Sequence, residues 1–263
     1  MTDIGDGRGI LYPTRLPSFH REPAPTELAG AIRWFWVPRW NLAPGRTSRQ
    51  QLLPFPASNL VVESGGVSLA GPSTGAAHRD LRGKGWAVGA LLRPAGIASL
   101  HPEPGRIQNA EVPFDAPDLR NRVTAAMQHP DETTGQQAAV QAFGEWAIEH
   151  LTPPDADGLL ANTMEDLIAS DHTITRVDQL ARLLCVSTRS VQRLAQRYVG
   201  LPPLAIIRRY RLQEAAQRLR EDRSLTIAQV AADLGYADHA HLSADFRSVL
   251  GFTPNSYRDQ EPR

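Results

Sequence analysis

Two windows of this sequence, fifty residues apart, share one grammar, and that repetition constrains the fold more than any other feature. The first runs from Val177 to Leu194 and the second from Ile227 to Phe246. Each predicts a short helix, a tight turn of three or four residues, a capping residue and a second helix. Leu180, Leu183, Val191 and Leu194 are spaced to close the first unit, and Val230, Leu234, Leu242 and Phe246 the second. Ala181 and Ala231 are small enough for the helices to cross closely, and Gly235 stands where a left-handed turn residue is wanted. Thr175 with Asp178, and Thr226 with Gln229, pair a hydroxyl with an acceptor three residues on, which predicts two helix starts. Asp238 predicts another, and Thr253-Pro254 puts proline at a first helical position. Helices are predicted near 159–170, 176–184, 188–199, 203–220, 227–234, 239–250 and 254–259.

The faces left over after closing these units carry the functional signal. On the second helix of unit one they are Thr188, Arg189, Gln192, Arg193, Gln196 and Arg197; unit two offers His239, His241, Ser243 and Arg247. Arginine can grip guanine with two hydrogen bonds, glutamine can do the same for adenine, and arginine also neutralises phosphate. Charge agrees. The chain is neutral overall, yet residues 176–258 hold 13 Arg against 7 acidic residues while the remainder is net negative by 6. A cationic region of this kind suits a polyanion, although a solvated arginine-rich surface has the same composition. The helix 203–220 is about 27 Å long at ~1.5 Å per residue. That approaches one duplex turn of about 34 Å, so it can hold two reading helices over successive major grooves. Its stripe of Leu212, Ala215, Ala216 and Leu219 can pack on both units.

The first 113 residues have another texture, rich in Gly and Pro with short apolar runs. Strands are predicted at 31–37, closed by Pro38, at 59–63 and 67–70 as a hairpin turning on Gly65-Gly66, and at 86–92, stopped before Pro94. The helical period returns at 115–128 and 135–151, and the Pro/Asp/Gly-rich segment 152–158 reads as a linker. The expected fold is α+β: residues 1–151 form a small β-barrel or sandwich with helices, and residues 159–263 an all-α tandem helix-turn-helix domain.

Residues 176–258 resemble the tandem helix-turn-helix domain of AraC/XylS-type bacterial transcription regulators. The resemblance is carried by Ile227-Ala-Gln-Val-Ala-Ala-Asp-Leu-Gly-Tyr-Ala-Asp-His, then Phe246-Arg247, Gly251-Phe-Thr-Pro254 and Tyr257-Arg258. It implies seven helices, two major-groove readers, a long connecting helix and base contacts from Arg189, Gln192 and Arg193. In the second reader the contacts would come from the 239–244 face. Ala244 stands where arginine is frequent in the family, which weakens base reading by unit two, and Cys185 stands where glycine is frequent. The N-terminal half is similar to sensor-type domains that precede such units, on Leu53-Pro54, Asn59-Leu60-Val61, Gly71-Pro72 and the run Gly89 to Gly96. Together the two resemblances imply a double-stranded DNA partner, a small effector or homodimerisation through residues 1–151, and RNA polymerase as a partner if the chain activates. The effector and the residues that bind it stay unknown.

Other chemistries fit less well. Gly71-Pro-Ser73-Thr-Gly75 matches a nucleophile-elbow pattern, so a hydrolase using Ser73 is the alternative, but the motif needs a helix directly after it and two glycines follow. His78 and His101 read as ordinary surface or core residues. Cys185, the single cysteine, excludes an internal disulfide and is expected to be a small buried hydrophobe. His239 and His241 lack further ligands, so no metal or cofactor is expected. Trp34, Trp36 and Trp40 read as core or as the wall of an effector pocket. Met1 to Gly9 is polar, without the apolar run of a signal peptide, and no stretch reaches a membrane span; a cytoplasmic protein is expected.

Overall fold

A computed structural model describes residues 18–52 and 54–259, so the polar start at Met1–Gly9 lies outside the described residues, as does Leu53. Among the described residues, eight strands lie in the N-terminal half: β1 (Ser18–Pro23), β2 (Ile32–Asn41), β3 (Thr47–Leu52), β4 (Asn59–Glu63), β5 (Gly66–Ala70), β6 (Ala77–Arg82), β7 (Lys84–Leu92) and β8 (Glu111–Pro113). Six form one antiparallel sheet in the order β1-β2-β7-β4-β5-β8, and β3 pairs with β6 as a separate ribbon. The fold is thus α+β, with a strand-rich half followed by a helical half.

Pro38 does not close β2, as its position in the sequence suggested. The strand runs through it, paired with β1 at Phe19, while pairing with β7 skips Val37 and Pro38. A proline costs one ladder hydrogen bond, and here the other neighbour keeps the strand extended. The β4–β5 hairpin turns on Ser64-Gly65, one residue earlier than expected, with Glu63 opposite Gly66. On β7, Gly89 lies under the Trp36 ring, where a Cβ would come within 2.1 Å of it. The same indole donates from Nε1 to Asn59 Oδ1 at 2.9 Å, so ring and glycine together fill the sheet surface.

A register shift between Ile32 and Trp34 decides which side chains face which way. Ile32, Phe35 and Val37 face one core, closed by α2 (Pro117–Met127) and α3 (Glu132–His150) through Leu119, Val123, Phe143 and Trp146. The opposite face carries Trp34 and Leu91 into a second core, shared with helices from the C-terminal half. Between the sheet and α2 the chain makes α1 (Pro94–Leu100), which starts on its own proline.

The helical half contains α4 (Ala156–Ser170), α5 (Val177–Leu183), α6 (Thr188–Tyr198), α7 (Pro203–Glu221), α8 (Ile227–Asp233), α9 (His239–Leu250) and α10 (Pro254–Asp259). No described helix is long and apolar enough to cross a membrane. The segment 152–158 is short and pinned: Thr152 N–H donates to Ser99 Oγ at 2.8 Å, and α4 begins inside it. Asp155 caps α4 by accepting from Gly158 N–H at 2.7 Å and also accepts the Tyr198 hydroxyl at 3.0 Å. Those two bonds hold its carboxyl below the usual carboxylate range. A carboxyl lowered in the folded state contributes stability above its unfolded value, and that contribution is lost as pH falls through the folded one. Asp155→Ala is therefore expected to lower Tm by about 2–4 °C at pH 7. Thermal melts should show the deficit closing in acid; a deficit independent of pH contradicts the cap.

Helix α7 crosses a seam in the apolar packing. Its first half, with Ile206, Ile207 and Tyr210, belongs to the second core together with Trp34, Phe55 and Leu91 from the sheet half and Leu180, Val191 and Leu194 from unit one. From Leu212 onward it belongs to a third core with Val230, Leu234, Leu242 and Phe246 of unit two.

Candidate nucleic-acid interface

The two units repeat one backbone geometry. In unit one Cys185 N–H donates to Arg182 O at 3.1 Å and Val186 N–H to Ala181 O at 3.0 Å. In unit two Gly235 donates to Ala232 O at 3.1 Å and Tyr236 to Ala231 O at 2.9 Å. Both bends need a left-handed residue, with φ +54° at Cys185 and +67° at Gly235. This turn projects the Cys185 side chain outward, so the thiol is exposed and the expectation of a buried hydrophobe is corrected. Leu183 is likewise corrected: it is 54% exposed, and Leu184 supplies the partly buried contact instead.

The helix starts follow the same offset. Thr226 and Gln229 make a reciprocal capping box at α8, as predicted. At α5 the cap falls on Arg176, not Thr175. Gln179 Oε1 accepts from Arg176 N–H at 2.9 Å and from Thr175 N–H at 3.0 Å, a reach that the shorter Asp178 lacks. Asp178 pairs instead with Arg176 and Arg182. Ser187 caps α6 and Asp238 caps α9, accepting from Ser190 and His241 N–H respectively.

These caps fix the outward faces. Thr188, Arg189, Gln192, Arg193, Gln196 and Arg197 are all exposed along α6, while Val191, Leu194 and Ala195 are buried beneath them. Arg197 lies 3.6 Å from Asp157 of α4 and 5.0 Å from the Tyr198 ring centre. On α9, His239 and Arg247 are exposed and Ser243 is half-buried. The exposed His241 sits edge-on to Tyr236 at 5.2 Å.

Most other arginines of residues 176–258 are already engaged. Arg208 pairs with buried Asp245 at 3.1 Å, and Arg218 pairs with Glu214 and Asp233. Buried Arg211 donates to Leu234 O at 2.8 Å and lies 4.1 Å above the Tyr236 ring. The Tyr236 hydroxyl donates to Asp245 at 3.1 Å; burial first, then Asp245, pushes its pKa up. This node under α9 was not foreseen, because its arginines counted toward the cationic surplus. By contrast Arg189, Arg193 and Arg247 stand exposed with no ion pair among the described residues. All three lie on the second helix of a unit.

Comparison with known proteins agrees with this geometry. Residues 180–260 match a helix-turn-helix domain family, and residues 20–112 match a domain of unknown function, DUF6597. The chain is 35% identical over 114 residues to an AraC-like transcription regulator of Streptomyces antibioticus, covering 40% of this chain and 37% of that one. The helix-turn-helix part of the chain is thus similar to AraC-like regulators. The transcriptional activator NphR of a Rhodococcus species is 30% identical over 142 residues, covering 48% of the present chain and 42% of its own. The chain thus spans well under half the length of these relatives in alignment. Among solved structures, ToxT from Vibrio cholerae overlays 90% of this chain and 99% of its own at 13% identity, with a TM-score of 0.45; likeness at that level carries no functional argument.

The remaining candidate residues have plain structural places. Ser73 lies in the loop between β5 and β6, with its hydroxyl donating to Gly75 O at 2.7 Å, and strand rather than helix follows. That is not the geometry of a nucleophile elbow. Trp34 packs edge-on to Phe55 with centres 6.1 Å apart, and Trp40 donates to Arg82 O.

Proposed function

We propose that this chain is an AraC-type, sequence-specific, double-stranded DNA-binding transcription regulator. The observation that supports it is the concentration of exposed, unpaired arginines on the second helices of two matched units. Unit one supplies most base reading through Arg189, Gln192 and Arg193, with Thr188 and Gln196 alongside. Unit two adds a lighter contribution from His239, His241, Ser243 and Arg247. The connecting helix of 19 residues is about 28 Å long, on the scale of a duplex repeat.

Arg197 is assigned to phosphate, since its pairing with Asp157 shows a guanidinium at the rim already neutralising an anion. Replacing it with Ala is expected to lower affinity for all duplexes alike and to flatten the salt slope by about one. Fluorescence anisotropy over a salt series reads this directly, and a loss confined to one sequence contradicts it. The reading as a whole is tested by selection of duplexes from a random pool; recovery of no enriched sequence overturns it.

In this reading residues 159–263 are the DNA-binding part and residues 1–151 bind a small effector or mediate self-association, with the protein working in the cytoplasm. An effector acts by favouring one arrangement of the two parts. A thermal-shift screen with small metabolites detects it by mass action.

A further inference from the structure

The two units are tied to the sheet half very unequally. Unit one shares a continuous apolar core with Trp34, Phe55 and Leu91. The α4 helix beside it is fastened by Arg33 to Glu165 and Asp166, by Arg93 to Asp166, and by the Asn162 amide bridging Gly30 O and Ala95 N–H. Unit two has its own apolar core, against which Ala76 packs from the sheet half. Two polar ties join it to the described residues of the sheet half. Ala76 N–H donates to Val249 O at the end of α9 at 3.0 Å, and Gln213 Nε2 on α7 donates to Pro54 O at 3.0 Å.

Gln213 is the unusual member. It is 2% exposed, with Leu212, Ala215 and Ala216 beside it on α7, and its Oε1 accepts no hydrogen bond from the described residues. Burying an amide with one oxygen unsatisfied costs stability that an apolar side chain of the same length does not. What the amide adds is direction: a single donor aimed at a single carbonyl fixes how the 54–58 segment seats on α7, as a lone buried polar residue fixes register in a helical pair. Phe55 then seats edge-on to Tyr210, with ring centres 5.6 Å apart, at the end of the unit-one core.

We propose that Gln213, together with the Ala76–Val249 tie, sets the attitude of unit two relative to unit one and so the half-site separation that the chain accepts. Gln213 is a positioning residue for spacing, not for base identity. The proposal rests on the DNA-binding reading above. Inserting one base pair between half-sites turns the second by roughly a tenth of a turn about the duplex axis. A rigidly seated unit two cannot follow; a loosened one can.

The test uses the full chain and the duplex it selects from a random pool, with spacers lengthened and shortened by one and two base pairs. Wild type is expected to lose at least about tenfold in affinity for a one-base-pair insertion, because simultaneous engagement is forbidden. Gln213→Met is expected to narrow that penalty to within about threefold, with binding to a duplex holding only the unit-one half-site unchanged. Ala76→Pro, which removes the other donor, should act in the same direction, and either variant suffices if the other does not give a cooperative melt. A folded variant that keeps the wild-type spacing penalty overturns the proposal while leaving DNA binding intact. A wild-type chain that tolerates every spacer equally overturns it too. If wild type selects no duplex at all, the DNA-binding reading falls and this one falls with it.

Discussion

Replacing Arg33 with Met is expected to destabilise the folded chain by about 3–5 kcal/mol. Arg33 on β2 donates to Glu165 Oε2 at 2.8 Å and to Asp166 Oδ1 at 2.9 Å, and the Glu165 side chain is 2% exposed. The second Glu165 oxygen accepts the Tyr210 hydroxyl from α7 at 2.8 Å. One buried carboxylate therefore joins a strand, α4 and the connecting helix. Burial alone lowers the proton affinity of the Arg33 guanidinium, yet attraction from Glu165, Tyr210 and Asp166 outweighs it and the pKa is raised. Removing the cation leaves a charge in the interior with only a phenol to answer it, and that is the costly direction for a buried pair. Urea unfolding at neutral pH measures the loss. A change below about 1 kcal/mol, the range of exposed pairs, would show that water reaches Glu165 and that the joint is not dry.

Arg193→Ala is expected to weaken binding to the selected duplex by about 1–3 kcal/mol and to relax preference at one base pair. The cause is local. Arg193 lies one turn beyond Arg189 on α6, is exposed, and has no carboxylate partner among the described residues, so no existing ion pair has to be broken before it reaches a base edge. Arg197, one turn further, is already shared with Asp157, which is why its loss is expected to be uniform across sequences. Anisotropy titrations against duplexes varied one base pair at a time separate the two cases. Unchanged affinity in Arg193→Ala would remove α6 from the reading role.

Much of the helical half was legible from residues alone, since an apolar period near 3.6 residues runs through its longer helices and Ser187, Thr226 and Asp238 mark three of its starts. The β3 and β6 strands were not legible. Thr47–Leu52 and Ala77–Arg82 are largely polar, and their order comes from pairing with each other, including Arg49 with Asp80, rather than from an apolar face. Helix α1 was hidden because Pro94 and Gly96 read as breakers, whereas proline at a first helical position starts a helix. The α6 face could be read directly, because what a helix leaves exposed is the complement of what it buries. The partners of Arg208, Arg211 and Arg33 could not, because Asp245, Leu234 and Glu165 are brought to them only by the packing of separate elements.

The seam inside α7 bears on how such a molecule can change over generations. A Pro/Asp/Gly-rich segment between two halves suggests interchangeable parts joined by a tether. Here unit one is completed by Trp34 of β2 and by Phe55 from the other half, so a graft made at residues 152–158 would carry away a unit missing part of its own interior. If the proposed reading holds, new specificities should arise more readily by altering the outward side chains of α6 and α9 than by exchanging whole halves with a cousin.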